Sequence, residues 1–432
     1  MTDFRRIRTI YADHLGLARG KYQPAATAAN GEARFCQTAY GLTFDRDLLP
    51  VEGSGLLTGL PDMVGHFKAE DVRAGWEADT GIAIVDLTDS KGNPIAVNGR
   101  NALKRALEAY AALGLSVNVG VELEAFVFEK NEAGNWVPYD TPGAYVYGAG
   151  VGVDPAGLID QVWNQAEAMG IELESFNSEF DCSQFEMTLR YGEAMSAIDD
   201  LLLFKTMAKE IYAENGYLLS FMPKPISDRG GSGLHINFSF SDADGNNVIN
   251  DSKTEDGLSK LCKQAIAGLI QHHEGLAGIM APTVNSYRRL QPASLSGYWA
   301  NWGYDHRGVT TRIPDERGKA ARIEFRMGDC AVNVYTATAA TLQAALLGIQ
   351  NDYELPAAEQ LDCLESQSTE RHTPDNLGAA LEALSADTVL TQAIGQELVD
   401  NHVGIKTQEW ENYLAFISQT SQWETDFYLN FV

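Results

Sequence analysis

Alternating apolar and polar residues mark several β-strands in the central part of the chain. Runs of this kind extend from 117 to 128, from 182 to 190, from 234 to 240 and from 321 to 327. Alternation sends successive side chains to opposite faces of a strand, so one face can join a core while the other carries polar groups. We therefore predict strands here, each with candidate functional residues.

Apolar residues at helical spacing predict helices between these runs. One helix covers 101–113 and is followed by a glycine, which is favoured directly after a helix. Asp154, with proline after it, predicts the start of a second helix that runs to Gly170. A third helix is expected over about 194–215. Strands and helices in this mixture predict an α+β fold.

The two ends of the chain differ in character. Residues 1–98 combine short apolar runs with many turn residues, which predicts a small β-rich domain, and 99–432 then form a larger second domain. The stretch from Ala393 onward is expected to be helical. Its aromatic residues are expected to pack rather than to bind a ligand; they are Trp410, Tyr413, Trp423 and Tyr428.

Composition narrows the possible partners. The 432 residues include 59 acidic and 32 basic side chains, a net charge of −27 that repels phosphate backbones and anionic membrane surfaces. Nucleic acids and membranes are therefore not expected partners, although the charge also suits solubility or a salt-rich habitat. Five cysteines without a CxxC pair indicate neither a disulfide framework nor a structural zinc site. With no signal-like apolar segment at the N-terminus, a cytoplasmic location is expected.

A glycine-rich turn followed by a polar strand face indicates a binding site. Gly230, Gly231 and Gly233 precede the run that projects His235 and Asn237 from one face. Glycines allow a backbone to approach a ligand closely, and period-2 spacing brings the polar side chains to the same side.

A pair of glutamates indicates a cation site. Glu122 and Glu124 lie two apart in a strand, so both carboxylates emerge from one face between apolar neighbours. Two buried carboxylates need a positive partner, and divalent cations are the simplest one. The alternative is an ordinary solvated strand face.

Several ordered blocks of the chain resemble the glutamine synthetase family. The segment from Phe221 to Ser239 is similar to its FMPKP and GSG-x-H blocks, and other blocks stand in the family's order. They are Glu122-Leu123-Glu124, Pro282 to Leu290, Arg307 with Arg312-Ile313-Pro314, and Arg322 to Arg326. The resemblance implies a small N-terminal β-grasp domain and a larger catalytic domain built on a curved antiparallel sheet with flanking helices.

The same resemblance implies two bound divalent cations. Carried over position by position, Glu124, Glu179 and Glu186 would hold one ion. Glu122, His235 and Glu324 would hold the other. Five carboxylates with one imidazole suit Mg²⁺ or Mn²⁺.

The family also assigns roles to arginines and to residues near the nucleotide. Arg289 and Arg326 would bind the carboxylates of glutamate, and Arg307 would face the transferring phosphoryl group. ATP phosphates would meet Arg312 and Arg322, while Gly231 would approach the substrate amino group. Ser239 and Glu174 match positions near ATP. The plain alternative for each arginine is a surface ion pair.

The chain departs from ammonia-using relatives where the amine would bind. Leu295 occupies the place of a glutamate that closes the site and accepts a proton, and the aromatic stretch 296–302 follows it. Apolar surface of this kind favours an alkyl group on the nitrogen. Asp45 is the candidate for the aspartate that a neighbouring subunit lends, and Asn237 replaces a second histidine.

The resemblance therefore implies an ATP-dependent ligase that couples glutamate to a small amine through γ-glutamyl phosphate. Leu295 favours an alkylamine, as in γ-glutamylmethylamide synthetases and related glutamate–alkylamine ligases. Glutamine synthesis from ammonia is the second reading, and an inactive structural relative the third. A homo-oligomer, expected to be a dodecamer of stacked rings with active sites between subunits, is implied as well. The sequence leaves open which amine and which of the two metals are used, and whether Tyr353, at a place modified in some relatives, is regulatory.

Overall fold

The computed structural model describes residues 4–431. Its N-terminal part forms two small sheets, one with the order β2-β1-β6-β5 and one with the order β3-β4-β7. A separate cluster of buried side chains between Ile7 and Val97 joins these sheets. The domain boundary near residue 98 stays a prediction. The strands are β1 Arg6–Ala12, β2 Ala18–Pro24, β3 Glu32–Cys36, β4 Asp62–His66, β5 Arg73–Ala74, β6 Thr80–Ile84 and β7 Asp86–Thr88.

A nine-stranded sheet carries the candidate site. Its main path runs β10-β11-β8-β13-β16-β15-β14, with β9 and β12 also paired to β8, and every pair except β14–β15 is antiparallel. The strands are β8 Ser116–Lys130, β9 Trp136–Pro138, β10 Leu173–Ser178, β11 Gln184–Glu193, β12 Leu218–Ser220, β13 Leu234–Ser241, β14 Trp302–Tyr304, β15 Thr311–Ile313 and β16 Ile323–Phe325.

Helices cover the opposite face of this sheet. The most deeply buried is α8, which packs so closely on α5 that a Cβ atom at Gly348 would lie 2.1 Å from the carbonyl oxygen of Gln264. The helices are α1 Ala25–Ala28, α2 Gly99–Ala111, α3 Leu158–Ala168, α4 Ala194–Glu214, α5 Lys260–Gln271, α6 His273–Met280, α7 Ser286–Arg289, α8 Val334–Gln350, α9 Leu377–Ala386, α10 Thr388–Ile394, α11 Gln396–Ile417 and α12 Gln422–Tyr428.

Alternation along β8 explains how the sheet separates core from site. Val117, Val119, Val121 and Leu123 are buried in the main core, whereas Glu122 lies on the other face and is only partly buried. The α+β class predicted from the sequence is confirmed.

Most predicted elements are found, with one clear error in a helix start. Helix α4 spans Ala194–Glu214 as expected. Helix α3 begins at Leu158 rather than at Asp154, because Gly157 has a left-handed φ of 66° that turns the chain first. The Asp154 carboxylate still accepts a hydrogen bond from the Ile159 N–H at 2.7 Å. The strand predicted over 321–327 is shorter, at Ile323–Phe325.

The C-terminal aromatic residues divide into two groups. Trp410 lies against Gly378 of α9, as a packing role requires. Trp423 and Tyr428 lie on α12, where they pack against each other and Phe427 but remain exposed to solvent, so a packing role beyond this cluster stays a prediction. None of the helices within residues 4–431 has the length and apolar character needed to span a membrane.

Candidate active site

The glycine-rich turn before β13 packs directly on side chains of the candidate site. A Cβ atom at Gly231 would lie 2.5 Å from the carbonyl oxygen of Pro223 and 2.8 Å from Cγ of Arg289. The Gly233 N–H donates to the Glu124 carboxylate at 2.7 Å. Glycine is therefore required at position 231, since any larger residue would displace the turn.

Strand register assembles the first group of metal-ligating side chains. His235 on β13 stands opposite Glu122 on β8, and β16 brings Glu324 to the other side of β13. His235 Nδ1 lies 3.2 Å from Glu122 Oε2 and 3.6 Å from Glu324 Oε1. Each of the three offers a ligand atom, and these atoms lie within 4.8 Å of one another.

The second group forms beside the first. Glu186 on β11 pairs directly with Glu124 on β8, and Glu179 follows the end of β10. Their ligand atoms also lie within 4.8 Å of one another. The turn that carries Glu179 is closed by its own N–H, which donates to the Gln184 carbonyl oxygen at 2.9 Å. Each trio therefore consists of the three residues that the family resemblance assigned to one ion.

The protonation of these carboxylates reflects their crowding. Burial raises the pKa of Glu186 to about 7, and three neighbouring carboxylates act in the same direction. Burial and the nearby Glu124 charge likewise raise the pKa of Glu179. Burial alone would raise the pKa of Glu122, but a hydrogen bond and charge from His235 lower it to about 2. Such a cluster favours the arrival of a positive partner.

Divalent cations fit these donors. The two trios together offer five carboxylates and one imidazole, a hard oxygen-rich set that suits Mg²⁺ or Mn²⁺ better than zinc or copper. Three neighbouring carboxylates add to the effect of burial in raising the pKa of Glu186, and a bound divalent ion would offset their repulsion.

Two of the predicted arginines hold Glu324. Arg312 Nη1 donates to Glu324 Oε2 at 2.7 Å, and Arg326 Nη1 donates to Glu324 Oε1. Glu324 is fully buried, and although burial opposes it, the charges of Arg326 and His235 keep its pKa low. The Nε atoms of both arginines are buried without a hydrogen-bond partner in the described part of the chain. Each guanidinium thus retains donor capacity.

Arg289 lies behind the glycine-rich turn. Its Nη1 donates to the Met327 carbonyl oxygen at 3.0 Å, and its side chain is buried against Gly231 and Gly233. Burial lowers its pKa, while the charge of Glu124 opposes that shift. The sequence predicted Arg289 and Gly231 at one site, and the structure brings them into contact.

Arg307 is an exposed residue of a polar cleft of about 510 Å³. Glu122, Glu179, Glu186 and Arg312 line the same cleft. Tyr147 also lines it and was missed from the sequence, because its loop has no strand or helix pattern. It projects from a glycine-rich segment with a left-handed φ of 53°, and its N–H donates to the Ser178 carbonyl oxygen at 3.1 Å. The glycines around Tyr147 were the only feature of the sequence that could have indicated a functional loop here.

A neighbouring cleft of about 560 Å³ contains two of the predicted nucleotide-side residues. Glu174 and Arg322 both line it, and Glu122 connects it to the first cleft. Arg322 Nε donates to Asn237 Oδ1 at 3.2 Å, and Asn237 Nδ2 donates to Glu122 Oε1 at 3.0 Å. Asn237, which stands where the family has a second histidine, therefore links Arg322 in the cleft to the Glu122 carboxylate.

Ser239 does not line this second cleft but contacts a residue that does. Ser239 is buried, and its hydroxyl shares a hydrogen bond with the hydroxyl of Tyr191, which lines the cleft. Tyr191 is a further site residue that the sequence did not indicate. Its position follows from an irregular pairing of β11 with β8 just before Gly192, which strand periodicity does not reveal.

Two predicted residues lie at the edges of the site or outside it. Asp45 lies in an exposed turn of the N-terminal part and, in the described part of the chain, lines neither cleft. Leu295 is 46% exposed, has a left-handed φ of 54°, and accepts a hydrogen bond on its carbonyl oxygen from Arg326 Nη2 at 3.4 Å.

The aromatic residues after Leu295 turn inward. The Tyr298 ring stacks on His372 at 4.9 Å, and the Trp302 indole N–H donates to the Pro356 carbonyl oxygen at 2.8 Å. These rings therefore support the loop, and Leu295 is an exposed large apolar side chain in the 291–297 stretch. Tyr298 and Trp302 therefore do not offer the free apolar surface that was predicted for 296–302, and contact of Leu295 with an amine stays a prediction.

Comparisons with known proteins identify relatives along nearly the whole chain. A model of the glutamine synthetase catalytic domain matches residues 96–428. A glutamine synthetase of Halobacterium salinarum is 32% identical over 83% of this chain and 79% of its own length. One of Pyrococcus abyssi is 30% identical over 98% of this chain and 96% of its own length.

Solved structures are similar as well. Ligand-free GmaS, a γ-glutamylmethylamide synthetase, superposes with a TM-score of 0.85 at 30% identity over 99% of this chain and 97% of that one. A complex of GmaS with ADP superposes with a TM-score of 0.86 at 29% identity over the same shares.

Proposed function

The chain belongs to the glutamine synthetase family, and on this basis we propose that it is an ATP-dependent ligase that joins the γ-carboxylate of glutamate to a small alkylamine. The observation that carries the proposal is the convergence of both carboxylate groups with Arg307 and Arg312 on one cleft. The carboxylates can bind cations and the guanidinium groups can bind phosphate. This arrangement suits phosphoryl transfer.

The chemistry requires activation of the glutamate side chain. A carboxylate does not react with an amine in water, so its oxygen first attacks the γ-phosphorus of ATP, and ADP leaves. The amine nitrogen then attacks the γ-carbonyl carbon of γ-glutamyl phosphate, inorganic phosphate leaves, and the nitrogen loses a proton. Mg²⁺ or Mn²⁺ bound by the two trios would neutralise phosphate oxygens during transfer.

The arginines would orient the reactants around this centre. Arg289 and Arg326, fixed by backbone carbonyls and Glu324, would hold the carboxylates of glutamate beside Gly231. Arg322 would meet ATP phosphates from the second cleft. Arg307 is exposed and has no ion-pair partner in the described part of the chain, so it is free to meet charge that develops on the phosphoryl group.

Leu295 supports an alkylamine as the acceptor. Its exposed side chain offers apolar contact where ammonia-using relatives carry an acid. Tyr147, 66% exposed in the polar cleft, presents an aromatic ring that suits a methylated ammonium group. The likeness to GmaS along nearly the whole chain points the same way.

Glutamine synthesis from ammonia is the second candidate, because the curated relatives are glutamine synthetases. Leu295 weighs against it, since ammonium gains nothing from an apolar side chain.

An assembly of identical subunits belongs to the proposal. Asp45 is exposed in a turn and, in the described fold, lines neither cleft of its own chain, which suits a residue that serves a neighbouring subunit. There it would accept the proton released by the amine.

A panel of amines tests this function. Amine-dependent phosphate release from ATP and glutamate would be measured with ammonia, methylamine, ethylamine, isopropylamine and putrescine. Aspartate in place of glutamate and the Arg307→Ala variant serve as controls. We expect methylamine or a slightly larger monoamine to give the highest kcat/KM. Preference for ammonia would establish the second candidate, and no turnover with any amine would reject both.

A further inference from the structure

A large groove adjoins the glycine-rich turn and shares no lining residue with either cleft of the candidate active site. It has a volume of about 890 Å³, more than either cleft of the candidate active site, and falls in the range of sites for small organic molecules. Its wall includes Leu202, Phe221, Val332 and Val334, all of which are nearly completely buried. The groove is therefore deep and mainly apolar, unlike the polar cleft around Arg307.

Cations that lack carboxylate partners line the groove. Lys205 donates to the Cys330 carbonyl oxygen at 2.7 Å and lies 5.0 Å from the centre of the Phe221 ring, but forms no ion pair in the described part of the chain. Within residues 4–431 the Arg288 side chain donates a hydrogen bond only to the Tyr413 hydroxyl, at 3.1 Å, and Lys209 is exposed.

The carboxylates of the groove are already engaged. Glu210 pairs with Arg8 at 2.7 Å, and Glu409 pairs with Lys406 at 2.8 Å. Among the described residues that line the groove, the charged side chains without an ion-pair partner are therefore all positive, in a chain whose net charge is −27. An ammonium group beside apolar walls is poorly solvated, and an anion that enters the groove would supply its missing partner.

We propose that this groove is a second binding site, for a small organic anion with an apolar body and a carboxylate or phosphate group that pairs with Lys205. The apolar walls would take the body of the ligand, while Arg288 and Lys209 would attract it at the rim. The site is separate from the proposed reaction, so it stands or falls independently of the ligase activity.

Two walls of the groove connect it to the glycine-rich turn. Pro223 accepts a hydrogen bond from the Ser232 N–H at 2.8 Å, and the Cys330 thiol donates to the Gly233 carbonyl oxygen at 3.0 Å. Gly233 in turn donates to Glu124. Three hydrogen bonds in series, from Lys205 to Cys330, from Cys330 to Gly233 and from Gly233 to Glu124, therefore connect Lys205 to a predicted metal ligand.

Isothermal titration of the full-length protein, without ATP or glutamate, tests the site. The probes are 3-phenylpropionate, phenyl phosphate and the neutral 3-phenylpropan-1-ol. We expect both anions to bind at least about tenfold more tightly than the alcohol, since a charge-assisted hydrogen bond is lost with the neutral probe. Their relative affinity then distinguishes carboxylate from phosphate as the preferred group.

Variants locate the binding. Lys205→Met should weaken both anions about tenfold or more, and the exposed variants Lys209→Ala and Arg288→Ala should weaken them less without disturbing the fold. Lys253→Ala, an exposed lysine elsewhere, should change nothing. Anion binding that survives Lys205→Met and Arg288→Ala but is lost in Arg322→Ala would belong to the active-site cleft and would overturn the proposal. Equal affinity for the alcohol, or no binding because assembled subunits cover the groove, would overturn it as well.

Discussion

Replacement of Leu295 by glutamate should shift the preferred amine towards ammonia. Leu295 is 46% exposed, so a methyl group that contacts it loses part of its water but not all. Burial of one carbon contributes about 0.8 kcal/mol, or about fourfold in kcat/KM. Because the methyl group would be only partly buried, we expect contact with Leu295 to favour methylamine over ammonia by up to about fourfold, and Leu295→Glu to remove that advantage.

The same substitution should raise the absolute rate with ammonia. A carboxylate about 4 Å from an ammonium ion in a solvated site contributes roughly 1 kcal/mol, or about fivefold. The fold should tolerate the change, because Leu295 already occupies the left-handed region and glutamate has the same backbone restriction there. An unchanged melting temperature is therefore the first check.

The assay is amine-dependent phosphate release at one pH, with kcat/KM determined for ammonia and methylamine on each variant. Leu295→Gln is the matched control, since it removes apolar contact without adding charge. It should reduce the rate with methylamine and leave the rate with ammonia unchanged. If Leu295→Glu leaves the ratio of the two amines as it was, residue 295 does not contact the amine. If the natural protein uses ammonia at least as well as methylamine, the alkylamine proposal is wrong.

Three further predictions concern the metal ligands, the phosphoryl group and stability. His235→Ala should weaken Mn²⁺ binding and lower kcat by about 100-fold or more while the assembly persists, because one donor of a trio is lost; full activity at saturating Mg²⁺ would contradict the assignment. Arg307→Ala should lower kcat by about 100-fold with little change in the KM for ATP, since its contact forms in the transition state; an effect on KM alone would make it a binding residue. Glu359→Gln should lower the free energy of unfolding by about 2 kcal/mol at pH 7, because this buried carboxylate accepts hydrogen bonds from Ser368 and Asn301. Despite burial, those hydrogen bonds lower the pKa of Glu359 to about 2. The difference in the free energy of unfolding between the natural protein and Glu359→Gln, measured by denaturant unfolding, should therefore be complete above the unfolded-state pKa of the carboxyl group and disappear as the pH falls towards 2. A difference that does not change with pH would contradict this.

Local periodicity determined the elements that carry the site. Alternation along β8 was sufficient to place Glu122 and Glu124 on one face, and the apolar spacing of α4 predicted its bounds within a residue. These features depend on neighbours within one turn or one strand, which the sequence displays directly. The start of α3 was missed because the turn at Gly157 depends on a local backbone conformation that competes with helix capping.

Strand register and loop placement were decided only by the tertiary structure. Glu186 lies opposite Glu124, and His235 opposite Glu122, because β11 and β13 pair with β8 in one register, and a slip of one residue would turn every side chain to the other face. The sequence grouped these residues through a family resemblance, not through their spacing. Tyr147 and the groove at Lys205 had no such signal, since contacts between segments far apart in the chain leave no local pattern.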